Sequence, residues 1–245
     1  MLSRLIRLPL RLIPMRAVMR VLSGPLRGRR WIAGAATHGC WLGTYERDAQ
    51  RVFARHVHAG DVVYDIGANV GFFTLLASKL AKEVYAFEPL PRNLGFLREH
   101  VRMNDAANVH VLPLAVSDRA GTARFAAAEN PAMGGLSDRG GIEVETATLD
   151  ALRATLPAPS FIKMDIEGGE YAALTGAAAV LRQDAPKILL SAHGFEQHQR
   201  CSELLRGLGY ELETLVDGSA DGNYVLLATA AYAGAAASGP RSSRG

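Results

Sequence analysis

The sequence predicts an α/β protein: a doubly wound, mostly parallel seven-stranded sheet of Rossmann-like type that ends in an antiparallel hairpin. Three observations predict it. Apolar runs of strand length alternate with amphipathic runs of helical period from residue 46 onward. The strand-like runs, "DVVYDI" and "SFIKMDI" among them, are nearly continuous rather than alternating, as strands covered by helices on both faces are. The first of them opens into a glycine-rich turn, Gly67-Ala68-Asn69-Val70-Gly71, and then into a helix. That is how such sheets hold a nucleotide at their carboxyl edge.

Residues 1–40 read as a basic extension. Residues 1–30 carry eight arginines and no acidic residue, so the net charge of +3 leaves −5 for the remainder. A body of that sign argues against a broad nucleic-acid surface. Arginine interrupts the apolar residues too often for a membrane span, and Pro9 and Pro14 would break a helix. Three readings stay open: a disordered start, a helix packed on the body, or an arm lying on anionic membrane. Cys40 and Cys201 have no metal-ligand spacing and read as reduced thiols. The expected location is cytoplasmic, at the inner face of the membrane if the arm binds lipid.

Residues 41–230 read as one domain, beginning with a helix over 46–58. "DVVYDI" is the first strand, "FFTLLASKLA" a helix, "EVYAFEP" the second strand and "PRNLGFLREHVRMN" a helix with Pro91 at its start. "VHVLPLAVSD" is a third strand weakened at Pro113. Residues 119–149, with five glycines, break the rhythm and read as an inserted hairpin with a mobile loop, Asn130 to Gly141, suited to closing over an acceptor. "DALRATL" is a short helix, "SFIKMDI" the fourth strand, "GEYAALTGAAAVLRQ" a helix, "PKILLSAH" the fifth strand and "EQHQRCSELLRGLG" a helix. "YELETLV" and "NYVLLATA" make the closing hairpin, and residues 231–245 a disordered tail.

Ligands bind such sheets where strands end. Those ends carry Asp65 to Gly71, Glu88, Ser117 with Asp118, Asp165 to Glu167, and His193. Glu88 follows Asp65 at the separation of an acidic residue that takes ribose hydroxyls. Asp65 would repel a pyrophosphate but suits the ammonium of S-adenosylmethionine, with the loop amides and Asn69 free for its carboxylate and sugar. A tight turn capped by Asp65 is the competing reading, and Glu88 makes it the weaker one.

The ordered set "VVYDIGANVGFFTLL", "VYAFEPLPRNLGFLREHVRMN", "VLPLAVSDRAG", "TLDAL" and "FIKMDIEGGEYAAL" closely resembles the FkbM family of class I S-adenosylmethionine-dependent methyltransferases, over roughly Trp41 to Leu190. The resemblance implies that Asp65, Gly67, Ala68, Asn69 and Gly71 line the methionine part of the cofactor, that Glu88 takes the ribose, and that Ser117 and Asp118 lie beside the adenine. It implies O-methylation of a hydroxyl on a saccharide, glycolipid or other natural product.

In class I folds the fourth strand end faces the methyl group. Asp165-Ile166-Glu167-Gly168 stands there instead of the proline-aromatic run of base methylases, which argues against nucleobase acceptors. Asp165 reads as functional. Glu167 is balanced between function and helix-start acidity, and Glu170 is assigned to helix-start acidity alone. His193 is a candidate base for the acceptor hydroxyl or a hydrogen-bonded strand-end residue. Asp165, Glu167 and His193 together offer ligands for a divalent ion, although no spacing compels one. Tyr45 and Glu46 could reach the pocket or tie the extension to the sheet. The competing functions are a nicotinamide-dependent oxidoreductase, which should show G-x-G-x-x-G, and a non-catalytic cofactor-binding protein on the same fold. The oligomeric state is unreadable.

Overall fold

The strands that the apolar runs predict assemble into one seven-stranded sheet in a computed structural model, which describes residues 13–126, 135–136, 141–220 and 222–231. Its strands are β3 (Val62–Ile66), β4 (Glu83–Phe87), β5 (Val109–Leu112), β10 (Phe161–Met164), β11 (Lys187–His193), β12 (Tyr210–Asp217) and β13 (Asn223–Ala230). Their spatial order is β5-β4-β3-β10-β11-β13-β12. From β5 to β11 neighbours are parallel, while β13 is antiparallel to both β11 and β12. The predicted doubly wound sheet and closing hairpin are both present. The strand order reverses direction between β3 and β10, which places a crevice beyond their carboxyl ends.

Successive residues of a strand point to opposite faces, so each buried strand feeds two cores. Val63, Val84 and Phe161 face one layer, with α2 (Arg47–His56), α3 (Phe72–Leu80) and α4 (Pro91–Met103) on that side. Tyr64, Tyr85 and Ile162 face the other, covered by α5 (Leu149–Leu152), α6 (Glu170–Thr175), α7 (Ala178–Gln183) and α8 (Phe195–Gly207).

Two elements depart from expectation. The third strand stops at Leu112 because Pro113 has no N–H to continue the ladder. The chain then leaves the main sheet, and β6 (Ala115–Val116) pairs with β9 (Ile142–Ala147). The helix expected over 169–183 is two helices broken at Gly176. A Cβ there would lie 2.1 Å from the Ser117 carbonyl oxygen, so only glycine lets the two segments meet.

Within 119–149, β7 (Gly121–Ala126) pairs antiparallel with β9 from Gly121↔Thr146 to Phe125↔Ile142, and β8 (Gly135–Leu136) pairs with β7. The loop expected to close over the site falls mostly on 130–134 and 137–140, outside the described residues, as do 1–12 and the tail from 232.

From residue 13 the chain expected to form an arm lies on the body. It does so as a hairpin, β1 (Val18–Arg20) and β2 (Arg30–Ile32), with α1 (His38–Leu42) following, rather than as a packed helix. Trp31 is fully buried and stacks on the His100 ring of α4, centroids 4.0 Å apart. His100 is itself fully buried; its Nε2 accepts from the Ile32 amide at 3.0 Å, and its Nδ1 lies 2.7 Å from the Val70 carbonyl oxygen. An amide can only donate and a carbonyl only accept, so the ring is neutral with its proton on Nδ1. Burial pushes its pKa down to about 4. One histidine thus ties the hairpin to the glycine-rich loop. The outer side of β1 is a period-two face, Arg16, Val18, Arg20 and Leu22, all exposed.

Candidate active site

Beyond the carboxyl ends of β3 and β10 lies a cavity of about 580 Å3. Asp65, Gly67, Ala68, Asn69, Glu88, Asp165, Glu167 and His193 all line it. Residues far apart in sequence thus converge, as the strand-end argument expects.

The glycine-rich loop is shaped by close approach. Gly67 has φ +80°, and a Cβ there would sit 1.9 Å from the Asp165 carbonyl oxygen; the first and fourth strand ends touch only because Gly67 has no side chain. Asn69 is left-handed at φ +50°, a conformation asparagine tolerates better than most residues.

Four of the five loop amides are engaged, contrary to expectation. Gly67 and Ala68 N–H donate to the Phe87 carbonyl oxygen, Asn69 N–H to Glu88 Oε2, and Gly71 N–H to the Ala68 carbonyl oxygen, all at 2.8–3.0 Å. What the loop offers instead is acceptors. Asp65 is 1% exposed; Thr74 Oγ1 donates to its Oδ2 at 2.6 Å, while Oδ1 has no partner among the described residues. Asn69 Oδ1 is also buried without a partner. Burial raises the Asp65 pKa, opposed by Lys163 and the Thr74 hydroxyl. A buried acceptor left unpaired is costly, and two on residues that line one cavity fit a ligand that donates hydrogen bonds or carries positive charge.

Glu88 braces the loop. Its Oε1 accepts from the Leu90 amide at 2.9 Å and from Asn93 Nδ2 at 3.4 Å, and its Oε2 holds Asn69 N–H. Three of about four acceptor positions on the carboxylate are filled, leaving room for one more donor. Burial raises its pKa.

Ser117 and Asp118 do not line the cavity. Leu114, Ala115, Val116 and Phe125 do, because pairing of β6 with β9 carries Ser117 toward Gly176 and leaves Asp118 exposed. The wall formed by Leu114, Ala115, Val116 and Phe125 is apolar.

At the opposite end Asp165, Glu167 and His193 converge. His193 Nε2 lies 3.6 Å from Asp165 Oδ1 and 3.5 Å from Glu167 Oε2, and its Nδ1 lies 3.1 Å from Glu170 Oε1. Burial works against the imidazolium, but the Glu170 hydrogen bond and the charges of Asp165 and Glu167 outweigh it and raise the His193 pKa to about 9. Burial raises Glu167 as well.

Two residues here escape the sequence reading. Glu170 is more than helix-start acidity: it is fully buried and also accepts from the Ile166 and Gly168 amides at 3.3 and 3.1 Å. Lys163, buried at 5% exposure, reaches Asp165 Oδ2 at 3.2 Å and stands 5.0 Å from the centre of the Phe73 ring. A lysine in mid-run of a buried strand, two residues before an aspartate on the same face, is the signal that could have found it. Burial opposes its charge, but Asp165, Asp65 and Glu46 outweigh burial and raise its pKa. Tyr45 lines the cavity, as do Gly34 to Thr37 and Cys40 of the N-terminal segment. Cys40 and Cys201 are both buried and unpaired, with pKa values pushed up to about 12 by burial.

The chain is 29% identical over 166 residues to the hexuronic acid methyltransferase AglP of Haloferax volcanii, an alignment covering 65% of this chain and 67% of that one. It is 40% identical over 80 residues to the 31-O-demethyl-FK506 methyltransferase FkbM of Streptomyces tacrolimicus, covering 31% and 30%. Among solved structures, the precorrin-6y C5,15-methyltransferase of Geobacter metallireducens superposes with a TM-score of 0.52 at 18% identity, covering 76% of this chain and 90% of that one. A Streptococcus mutans methyltransferase homologue in complex with SAH gives 0.52 at 10% identity, covering 74% and 94%. These two show the shared fold. Residues 65–212 match the methyltransferase FkbM domain model, which spans the glycine-rich loop and the strand ends that carry Asp165 and His193, and the chain belongs to that family of methyl-transferring enzymes.

Proposed function

We propose that the protein moves the methyl group of S-adenosylmethionine to a hydroxyl oxygen of a saccharide or related natural product. The observation that carries this reading is the pair of unpartnered acceptors, Asp65 Oδ1 and Asn69 Oδ1, in a cavity that ends in a carboxylate and histidine cluster. The residues fit the cofactor: a cationic amino end suits Asp65, a ribose hydroxyl suits the remaining acceptor position of Glu88, and the Leu114–Val116 wall suits adenine. The cofactor supplies a methyl carbon already activated by its sulfonium.

The chain's own residues then align, exclude water and take a proton. As the acceptor oxygen bonds to the methyl carbon, the carbon–sulfur bond breaks and its electron pair returns to sulfur. The hydroxyl proton leaves to a carboxylate of the cluster, Asp165 or Glu167, because the surrounding carboxylates keep His193 protonated. The names of the two relatives, one acting on a hexuronic acid and one on an oxygen of FK506, support an oxygen acceptor on a sugar or natural product. Calorimetry with S-adenosylhomocysteine and with NAD, followed by transfer of labelled methyl from S-adenosylmethionine to a glycan and lipid extract, tests this. The expected result is binding of S-adenosylhomocysteine alone and label on an ether oxygen; binding of NAD alone refutes it.

A second reading concerns the Arg16, Val18, Arg20 and Leu22 face. Val18 and Leu22 are 54% and 57% exposed, and no acidic residue precedes Glu46. Alternating cationic and apolar side chains suit an anionic lipid surface, where each arginine contributes about 1 kcal/mol. Met15 of this segment packs against Gly34, which lines the cavity, so a docked hairpin would bring the pocket near lipid-linked acceptors. Sedimentation with anionic but not neutral liposomes is expected, and equal sedimentation with both removes the reading.

A further inference from the structure

The geometry points to a divalent cation site formed by Asp165 Oδ1, Glu167 Oε2 and His193 Nε2. Ligand atoms of the three residues lie within 4.8 Å of one another, and all three residues line the cavity. The decisive feature is spacing. An imidazolium simply paired with a carboxylate approaches it to about 2.7–2.9 Å. Here Nε2 stands 3.6 Å from one carboxylate oxygen and 3.5 Å from the other, so it makes a hydrogen bond to neither. Metal–ligand bonds of about 2.0–2.2 Å set neighbouring donors roughly 2.9–3.6 Å apart. The two gaps match an ion shared among the donors better than a proton held by one.

The surroundings agree. The His193 Nδ1 hydrogen bond to Glu170 Oε1 at 3.1 Å turns Nε2 to the other two carboxylates, where an arriving cation takes the place of the ring proton. A buried carboxylate behind a ligating histidine is the usual way a metal site fixes its imidazole. Glu170 is fully buried, so its carboxylate is held in place behind the ring. Lys163 occupies Asp165 Oδ2, which leaves Oδ1 for the ion. Two carboxylates and one imidazole suit a first-row divalent cation such as Mn2+. Held against an acceptor hydroxyl, the ion makes that hydroxyl easier to ionise. This role rests on the methyl-transfer reading; the binding of the ion does not.

The test is Mn2+ uptake by the chelator-stripped full chain, followed by the loss of the free-ion electron paramagnetic resonance signal, with S-adenosylhomocysteine affinity measured in parallel. One Mn2+ per chain is expected. Glu167→Gln, on a partly exposed side chain, and Asp165→Asn should each weaken uptake at least tenfold, while Glu170→Gln, which touches His193 and not the ion, should weaken it roughly tenfold. Retained S-adenosylhomocysteine binding certifies that each variant is folded. No saturable uptake by a protein that binds S-adenosylhomocysteine overturns the site, as does uptake unchanged in Glu167→Gln and Asp165→Asn. If the protein never binds S-adenosylhomocysteine, uptake lost in those variants at an unchanged melting temperature upholds the ion and removes the methyl-transfer reading instead.

Discussion

Asp65 shows how one side chain is kept unfavourable for a purpose. Its carboxylate is buried, half satisfied by Thr74, and pushed toward protonation by burial. Asp65→Asn can keep the Thr74 hydrogen bond and removes a buried charge, so its melting temperature should be unchanged or higher. Its affinity for S-adenosylmethionine should fall, because a hydrogen bond to a charged group contributes about 1.5–3 kcal/mol, roughly 10- to 150-fold. Calorimetry beside a melting curve checks both halves; equal weakening of fold and affinity would show that Asp65 is only a turn residue. The role of Asp65 in lining the cavity was legible in the sequence because an acidic residue at that place is chemically odd for a phosphate loop. Glu170 was not. An acidic residue in the first turn of a helix has an adequate local explanation, and only the packing of α6 against β11 shows what its carboxylate holds.

The N-terminal hairpin is an element whose attachment turns on His100. The folded-state pKa of about 4 lies below the ordinary 6.5. Between these values the unfolded chain binds the proton and the folded one does not. Stability is therefore fully present above pH 6.5 and is lost as pH falls toward 4. The loss is on the order of 3 kcal/mol at a shift of about 2.5 pH units. Denaturant titrations across pH 4–7 should show this slope, and His100→Gln should flatten it; an equal slope in the variant would assign it to other groups. The hairpin was hidden in the sequence because arginines dominate its composition, and composition says nothing of the period-two pattern that turns Met19 and Val21 inward. The break at Gly176 was hidden for a related reason. The helical period runs through 169–183 without interruption, and the obstacle is the Ser117 backbone, remote in sequence.

Over the whole molecule, the sheet was legible because burial on both faces leaves a simple record, a continuous apolar run per strand. The convergence of Asp65, Glu88, Asp165 and His193 followed from topology alone: parallel strands deliver all their ends to one edge. The sequence put Ser117 and Asp118 at the cavity, and Leu114 to Val116 line it instead, because Pro113 diverts the chain into the second sheet and the pairing of Ala115 with Thr146 depends on a partner strand that no local pattern announces.

The hydrogen bonding of the glycine-rich loop has a consequence for selectivity. Phosphate-bearing nucleotides are held at such turns by amide hydrogens, and here those of Gly67, Ala68, Asn69 and Gly71 are already engaged by the protein. The loop recognises by subtraction. With four donors spent within the protein and two oxygens unpartnered among the described residues, the resting loop is already biased toward a ligand that donates and away from a phosphate.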